Sequence, residues 1–123
     1  PQMKNLKREE CWLIMLNRAN VLISKEQISI GGEDSTAIDY KAIAIRCLEK
    51  KASAAILVHN HPSGTPIPSK ADIDVTTMIR KTLATCGVNL LDHVIISPGS
   101  WYSFADEVVT VKNCREKFCK GEK

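Results

Sequence analysis

Ala54-Ala55-Ile56-Leu57-Val58, running straight into His59-Asn60-His61-Pro62, is the segment around which the rest of the chain arranges itself. Five apolar residues in a row show no polar alternation, so neither face of the segment is meant for water. A run this short, ending on β-branched Val58, reads as a central strand covered on both sides. His59 then stands at the carboxyl end of that strand, where open α/β sheets place their ligands. Residues 60–68 hold Pro62, Gly64, Pro66 and Pro68 and read as a stiff, irregular loop.

Downstream, Ser69 begins a helix with Ala71, Val75, Met78, Ile79, Thr82 and Cys86 along one face, and Gly87 ends it. Leu90 to Ile96 reads as a further strand, Ser97-Pro98-Gly99-Ser100 as a turn, and Trp101 to Phe104 as a short last strand. Upstream, Asp39 caps a helix whose apolar face is Tyr40, Ile43, Ala44, Cys47 and Leu48. Lys50-Lys51 near its end suits the helix dipole. Cys11 to Leu16 and Val21-Leu22-Ile23 flank the turn-like Asn17-Arg18-Ala19-Asn20 and read as a hairpin. Ile28-Ser29-Ile30 continues its second strand until Gly31-Gly32 breaks it. Strand, helix, strand, helix, strand after a hairpin argues for a layered α/β domain with a mixed sheet.

The 123 residues suit one domain, with a core over about 9–106 and a charged tail over 107–123. The last stretch, 112–123, is too polar for a core strand and reads as a frayed helix or a disordered end. Apolar residues make up 44% of the chain, which is ordinary for a globular protein. No apolar run approaches the ~20 residues of a membrane span. Pro1-Gln2-Met3-Lys4 does not resemble a signal peptide, and a start on Pro1 leads us to expect a domain excised from a longer protein. The formal net charge of +3 is spread along the chain, with both signs in residues 106–123. A solvated tail is therefore expected there rather than a nucleic-acid stripe. Five cysteines, an odd number with no Cys-x-x-Cys, argue against a disulfide framework or thiolate zinc finger and for a reducing cytoplasm. Cys11, Cys47 and Cys86 fall at apolar positions and read as small core residues.

His59 and His61 stand two residues apart, and in extended backbone such residues face the same side. Both imidazoles can converge on one ion. Asp72 follows 11 residues after His61, in the first turn of the helix, where the stiff loop can fold it back. Two imidazoles and a carboxylate match a catalytic zinc's protein ligands, with the fourth position left for water whose pKa falls to about 7. Fe(II) takes the same triad in oxygenases, so ligand type does not fix the metal. The water needs a proton acceptor, and Glu9 and Glu10 precede the first strand. Alternation lets only one face the pocket. Glu9 shares its side with Cys11, Leu13 and Met15, Glu10 with Trp12, Ile14 and Leu16. Both sides are apolar, so periodicity leaves the choice open.

Each of these residues has a plainer role to set against the metal. Ser69-x-x-Asp72 is close to a capping box, worth about 1 kcal/mol of helix stability without any ion. A lone His in such a loop is more often a surface or satisfied core residue; two at this spacing, after a buried strand and before Pro62, favour the metal. The prolines can simply stiffen the loop, and Glu9 and Glu10 taken alone are ordinary surface acids. Several patterns are excluded. The label HNH nuclease names scattered residues, not adjacent letters. Zinc deaminases need His-x-Glu with Pro-Cys-x-x-Cys. Gly64 to Lys70 lacks the second Gly of a phosphate loop, and His-Glu-x-x-His is absent.

His59-x-His61-Pro62, six residues, Ser69, two residues, Asp72 resembles the JAMM (MPN-type) metalloprotease motif without a gap. His59-Asn60-His61-Pro62-Ser63-Gly64 with Pro68-Ser69 resembles its bacterial RadC branch. So do Glu9-Glu10, Leu16-Asn17, Leu91-Asp92-His93 and Tyr102-Ser103-Phe104-Ala105. The similarity covers about residues 9–106. It implies a three-layer α/β fold similar to cytidine deaminases, with a mixed sheet flanked by helices. It implies Zn2+ held by His59, His61 and Asp72, with Ser69 assisting an oxyanion. Counting back from Leu16-Asn17 without gaps places the family's catalytic Glu at Glu9; a slip of one residue would make it Glu10. The family's eukaryotic isopeptidases usually carry Ser where Asn60 stands. RadC proteins are usually longer, with a helix-hairpin-helix segment before this domain, and carry a DNA-repair label.

Two functions follow as expectations. The first is a zinc hydrolase of peptide or isopeptide bonds acting on a peptide or protein substrate. The second is a DNA-repair-associated binding module with a structural or vestigial zinc, reaching DNA through the preceding region. The weak basic excess and few aromatics count against strong DNA binding by these residues alone. DNA hydrolysis at the same ion lacks the second carboxylate cluster of a two-metal site. Asp92 and His93 face opposite sides of an extended strand; one is a partner of the ligands or of substrate, or both are polar residues satisfied by nearby backbone.

Overall fold

A computed structural model describes residues 9–28, 38–62 and 64–106. Along the chain these form β1 (Cys11–Leu16), β2 (Leu22–Ile28), α1 (Tyr40–Glu49), β3 (Ala54–Asn60), α2 (Lys70–Thr85), β4 (Asn89–Ser97) and β5 (Ser100–Ser103). Asn17 builds the hairpin: its Oδ1 accepts the amides of Ala19 at 2.8 Å and Val21 at 3.0 Å. Asn20 takes the positive φ of 62° that the turn requires, a conformation Asn tolerates better than most residues.

The described strands form a five-stranded sheet in the order β2-β1-β3-β4-β5. β1 is antiparallel to both β2 and β3, β3 is parallel to β4, and β5 returns antiparallel on β4. The sheet is therefore mixed, and β3 is interior, as its unbroken apolar run requires. β2, β3 and β4 point the same way, and each crossover steps in the same direction across the sheet. Right-handed crossovers then place α1 and α2 on one face, and the two helices touch. Between that face and the helices lies the core. Cys11, Leu13 and Met15 of β1 and Ala55 and Leu57 of β3 meet Ile43, Ala44 and Cys47 of α1 and Val75, Ile79 and Leu83 of α2. The other face carries Trp12, Ile14, Ile56, Val58 and Val94, partly covered.

Both helix ends follow local chemistry. The Asp39 side chain accepts the Ala42 amide at 3.0 Å, capping α1. Gly87 takes φ 76° just beyond α2, and Val88 N–H returns to the Leu83 carbonyl at 2.8 Å, the left-handed stop that favours glycine.

Several boundaries and faces differ from the sequence expectation. β3 runs on through Asn60, which pairs with Ile96 instead of opening the loop. Val21 and Leu22 are exposed because β2 is a sheet edge. Leu48 is also exposed, since the buried stripe of α1 is Ile43, Ala44 and Cys47. On α2 the buried stripe is Asp72, Val75, Thr76, Ile79 and Leu83. Ala71 and Met78 face water, and Cys86 is only half-buried. The helix is rotated because it turns the polar pair Asp72 and Thr76 inward. Ser29, Ile30, Gly31-Gly32 and the tail over 107–123 lie outside the described residues.

Candidate metal centre

Strand register assembles the site. Cys11 pairs with His59 across β1 and β3, so continuing two residues brings Glu9 level with His61. Glu9 follows the side of Cys11 and Leu13, toward the helices. Glu10 turns the other way: its Oε1 accepts Trp12 Nε1–H at 3.2 Å, and its amide donates to Asn60 Oδ1. The buried Asn60 thus pins the start of β1 rather than facing the site. Asp72 arrives from the first turn of α2. Ser69 Oγ accepts the Asp72 amide at 3.0 Å, and the Ser69 amide donates to Asp72 Oδ2 at 2.8 Å. The capping box is complete, and both the amide and the hydroxyl of Ser69 hold the Asp72 carboxylate.

Glu9, His59, His61 and Asp72 come together with one potential ligand atom each, all within 4.8 Å of one another, and could hold a metal ion. His59 Nε2 contacts Glu9 Oε2. His61 Nε2 lies 3.1 Å from Asp72 Oδ2 and 4.0 Å from Glu9 Oε2. The rings of His59 and His61 meet edge-to-face with centroids 4.7 Å apart. His59 is fully buried, whereas the Glu9 side chain is 40% exposed, so the cluster opens to solvent on the Glu9 side. His61 Nδ1 lies 3.1 Å from the Thr65 carbonyl. A carbonyl only accepts, so Nδ1–H donates to it, and Nε2 is the ring atom that faces the two carboxylates.

A second tier lies beneath. His93 Nε2 is 3.2 Å from His59 Nδ1, and His93 Nδ1 contacts Thr76 Oγ1. Thr76 donates to the Asp72 carbonyl at 2.7 Å. Phe104 stacks on His93 with centroids 4.8 Å apart and planes 7° apart. Asp92 holds that stack: it accepts Ser103 Oγ–H at 2.6 Å and the Ala105 amide at 2.9 Å, on either side of Phe104. Of the two residues left open by sequence, His93 touches the cluster and Asp92 is satisfied by its neighbours. Thr76 and Phe104 were not anticipated, although Thr76 stands four residues beyond Asp72 and so on the same helical face.

Charge follows this geometry. Burial opposes ionisation of Asp72, but the Ser69 amide, His59, the Ser69 hydroxyl and His61 outweigh it and hold the carboxyl below its ordinary range. Burial first, and His59 second, lower His93 to about 3, so it stays neutral. Burial, then Glu9 and Asp72, push the Cys11 thiol up, leaving it protonated and inert.

A family model described as the RadC-like JAB domain matches residues 1–109. The chain belongs to that family. It is 43% identical over 108 residues to a UPF0758 protein of Porphyromonas gingivalis, covering 87% of this chain and 48% of the relative. It is 42% identical over 107 residues to a UPF0758 protein of Flavobacterium johnsoniae, covering 87% and 47%. The RadC-like JAB chain thus spans about half the length of the curated relatives it matches. No helix among its described residues is long and apolar enough to cross a membrane.

Proposed function

We propose that this RadC-like JAB domain is a zinc-dependent hydrolase of peptide or isopeptide bonds. The observation that carries the proposal is the convergence of Glu9, His59, His61 and Asp72 from three separate chain segments. The donor set fits zinc. Two ligands of a tetrahedral Zn2+, each about 2.0–2.1 Å from it, lie roughly 3.3–3.4 Å apart. The His61–Asp72 approach of 3.1 Å is of that order. We assign His59, His61 and Asp72 as ligands, which leaves Glu9, on the open side, as the group beside water. Zinc bound there would supply Lewis acidity and a water with pKa near ~7.

The chain's own residues would do the rest. Glu9 takes a proton from water at its carboxylate and returns it to the leaving amine nitrogen. Ser69, its oxygen engaged by the Asp72 amide, would turn its O–H from the Asp72 carboxylate to the developing oxyanion. The capping box and the Thr65 carbonyl hold Asp72 and His61 in place before substrate arrives. The test pairs zinc quantitation on the chain and on His61→Ala with a peptide-library cleavage screen. Stoichiometric zinc lost in His61→Ala, together with cleavage that a chelator stops, is expected. Zinc without any cleavage would favour a binding module acting beside DNA. No zinc in the unaltered chain would remove the proposal.

A further inference from the structure

The contacts beneath the cluster fix more than packing. Thr76 Oγ1 lies 2.7 Å from the Asp72 carbonyl, four residues back on α2. Its single proton must go there, because two oxygen lone pairs at that distance would repel. This backward bond is common for Thr within helices. Thr76 can then only accept from His93 Nδ1, so His93 carries its proton on Nδ1. His93 Nε2 is left as a bare lone pair, and it lies 3.2 Å from His59 Nδ1. His59 must be the donor of that bond. The forced choices end at His59 Nδ1–H. His59 Nε2 meets the accepting carboxylate of Glu9 and the rest of the cluster, so without an ion Nε2 can share a proton with Glu9, and a bound cation takes that proton's place.

The geometry points to Thr76 and His93 as positioning residues that hold His59 as its Nδ1–H form and so reserve Nε2 for a divalent cation. The inference rests on the metal reading above and extends it to two residues that touch no substrate. It also accounts for two features that packing alone does not. His93 and Thr76 are polar residues only 1% exposed beside an apolar core, where unpaired polar groups are costly. The stacked Phe104 fixes the plane of the His93 ring, which keeps its Nε2 lone pair aimed at His59. The same hydroxyl that sets the tautomer also holds the backbone of Asp72. Thr76 thereby ties together two of the assigned ligands.

The test uses the whole chain and two readouts. The first is Zn2+ affinity by competition titration. The second is long-range 1H–15N NMR of the imidazoles in metal-free protein at alkaline pH, where imidazoles are neutral. His59 and His93 protonated on Nδ1 is the expected wild-type pattern. His93→Phe keeps a ring for Phe104 but removes the acceptor. It should free His59 to protonate Nε2 and weaken zinc roughly 10–100-fold, the usual effect of losing such a partner. His93→Gln, whose carbonyl can accept and whose amide can donate, should recover much of the affinity. Thr76→Val should shift the His93 tautomer while Thr76→Ser restores it, and this pair decides the matter if His93→Phe does not fold. Wild-type His59 protonated on Nε2 alone, or unchanged zinc affinity in both His93→Phe and Thr76→Val, would overturn the inference. If the wild type takes no zinc, the hydrolase reading fails, and the NMR pattern alone still decides the tautomer.

Discussion

Asp72→Asn separates the two jobs that Asp72 can hold. As a capping residue, Asp72 accepts the Ser69 amide at 2.8 Å through Oδ2. Asn keeps an oxygen for that bond and loses only the charge near the helix N-terminus, worth about 0.3–1 kcal/mol. As a ligand, Asp72 brings Oδ2 within 3.1 Å of His61 Nε2, and the charge is then central. Free zinc at ~100-fold above the dissociation constant stabilises the folded chain by about 2.7 kcal/mol. With an unfolding entropy near 2.1 cal/mol/K per residue over the roughly 90 described residues, that is a rise of about 14 °C in melting temperature. If Asp72→Asn weakens binding ~100-fold, the same zinc concentration stabilises by only about 0.4 kcal/mol, or roughly 2 °C. Thermal melts with and without zinc read both numbers. Ser69→Ala is the control: it removes the cap and costs about 1 kcal/mol without zinc, yet should keep most of the zinc-dependent rise. An equal zinc-dependent rise in Asp72→Asn and in wild type would refute Asp72 as a ligand and leave it only its place in the cap.

Three further outcomes are expected. Glu9→Gln should bind zinc nearly as wild type but lose roughly 10²–10⁴-fold in turnover on any substrate found; full activity in that variant would reject Glu9 as the base. Leu57→Ala, at a fully buried position of the central strand, should cost about 2–5 kcal/mol in denaturant unfolding, and a loss below ~1 kcal/mol would mean that β3 is not the core strand. His93, lowered to about 3 by burial, binds no proton in the folded state over a range where the unfolded chain does. The stability it contributes is complete above about pH 6.5 and drains as pH falls, by up to about 1.4 kcal/mol per pH unit. Urea melts of metal-free protein between about pH 7 and pH 5 should show that slope for wild type and a shallower one for His93→Gln; parallel curves would contradict a buried neutral imidazole.

Much of the architecture is written in local pattern. The unbroken run into Val58 marks β3, the Asn17 and Asn20 turn marks the hairpin, and Asp39, Ser69 and Gly87 mark helix ends by chemistry that acts within a few residues. The pair of histidines and the Ser69–Asp72 spacing are local in the same way. What escaped is set by partners far away in sequence. His93 meets His59 across 34 residues and Thr76 across 17, and no period within β4 or α2 announces either contact. The buried face of α2 departs from its apolar stripe for a related reason. Apolar periodicity favours Ala71 and Met78, whereas the site draws Asp72 and Thr76 inward, and polar residues turned inward at a site are invisible to a hydrophobic stripe.

The choice between Glu9 and Glu10 shows how tightly function is tied to the sheet. Both faces of β1 are apolar because one meets the helices and the other is partly covered, so alternation could not decide between them. Register does. The Cys11–His59 and Leu13–Leu57 pairs bury Cys11, Leu13 and Met15 completely or nearly so, and they place Glu9 on the same side two residues on. Sliding β1 by one residue would exchange the glutamates, but it would also send Leu13 and Met15 out of the core and bring Trp12 and Ile14 into it. Burying one large apolar side chain is worth about 1.5–3 kcal/mol, so the core strongly resists that slip. The acid that reaches His59 and His61 is therefore selected by the packing of Leu13 and Met15, and a change in those core residues would reach the cluster through register before His59, His61 or Asp72 is touched.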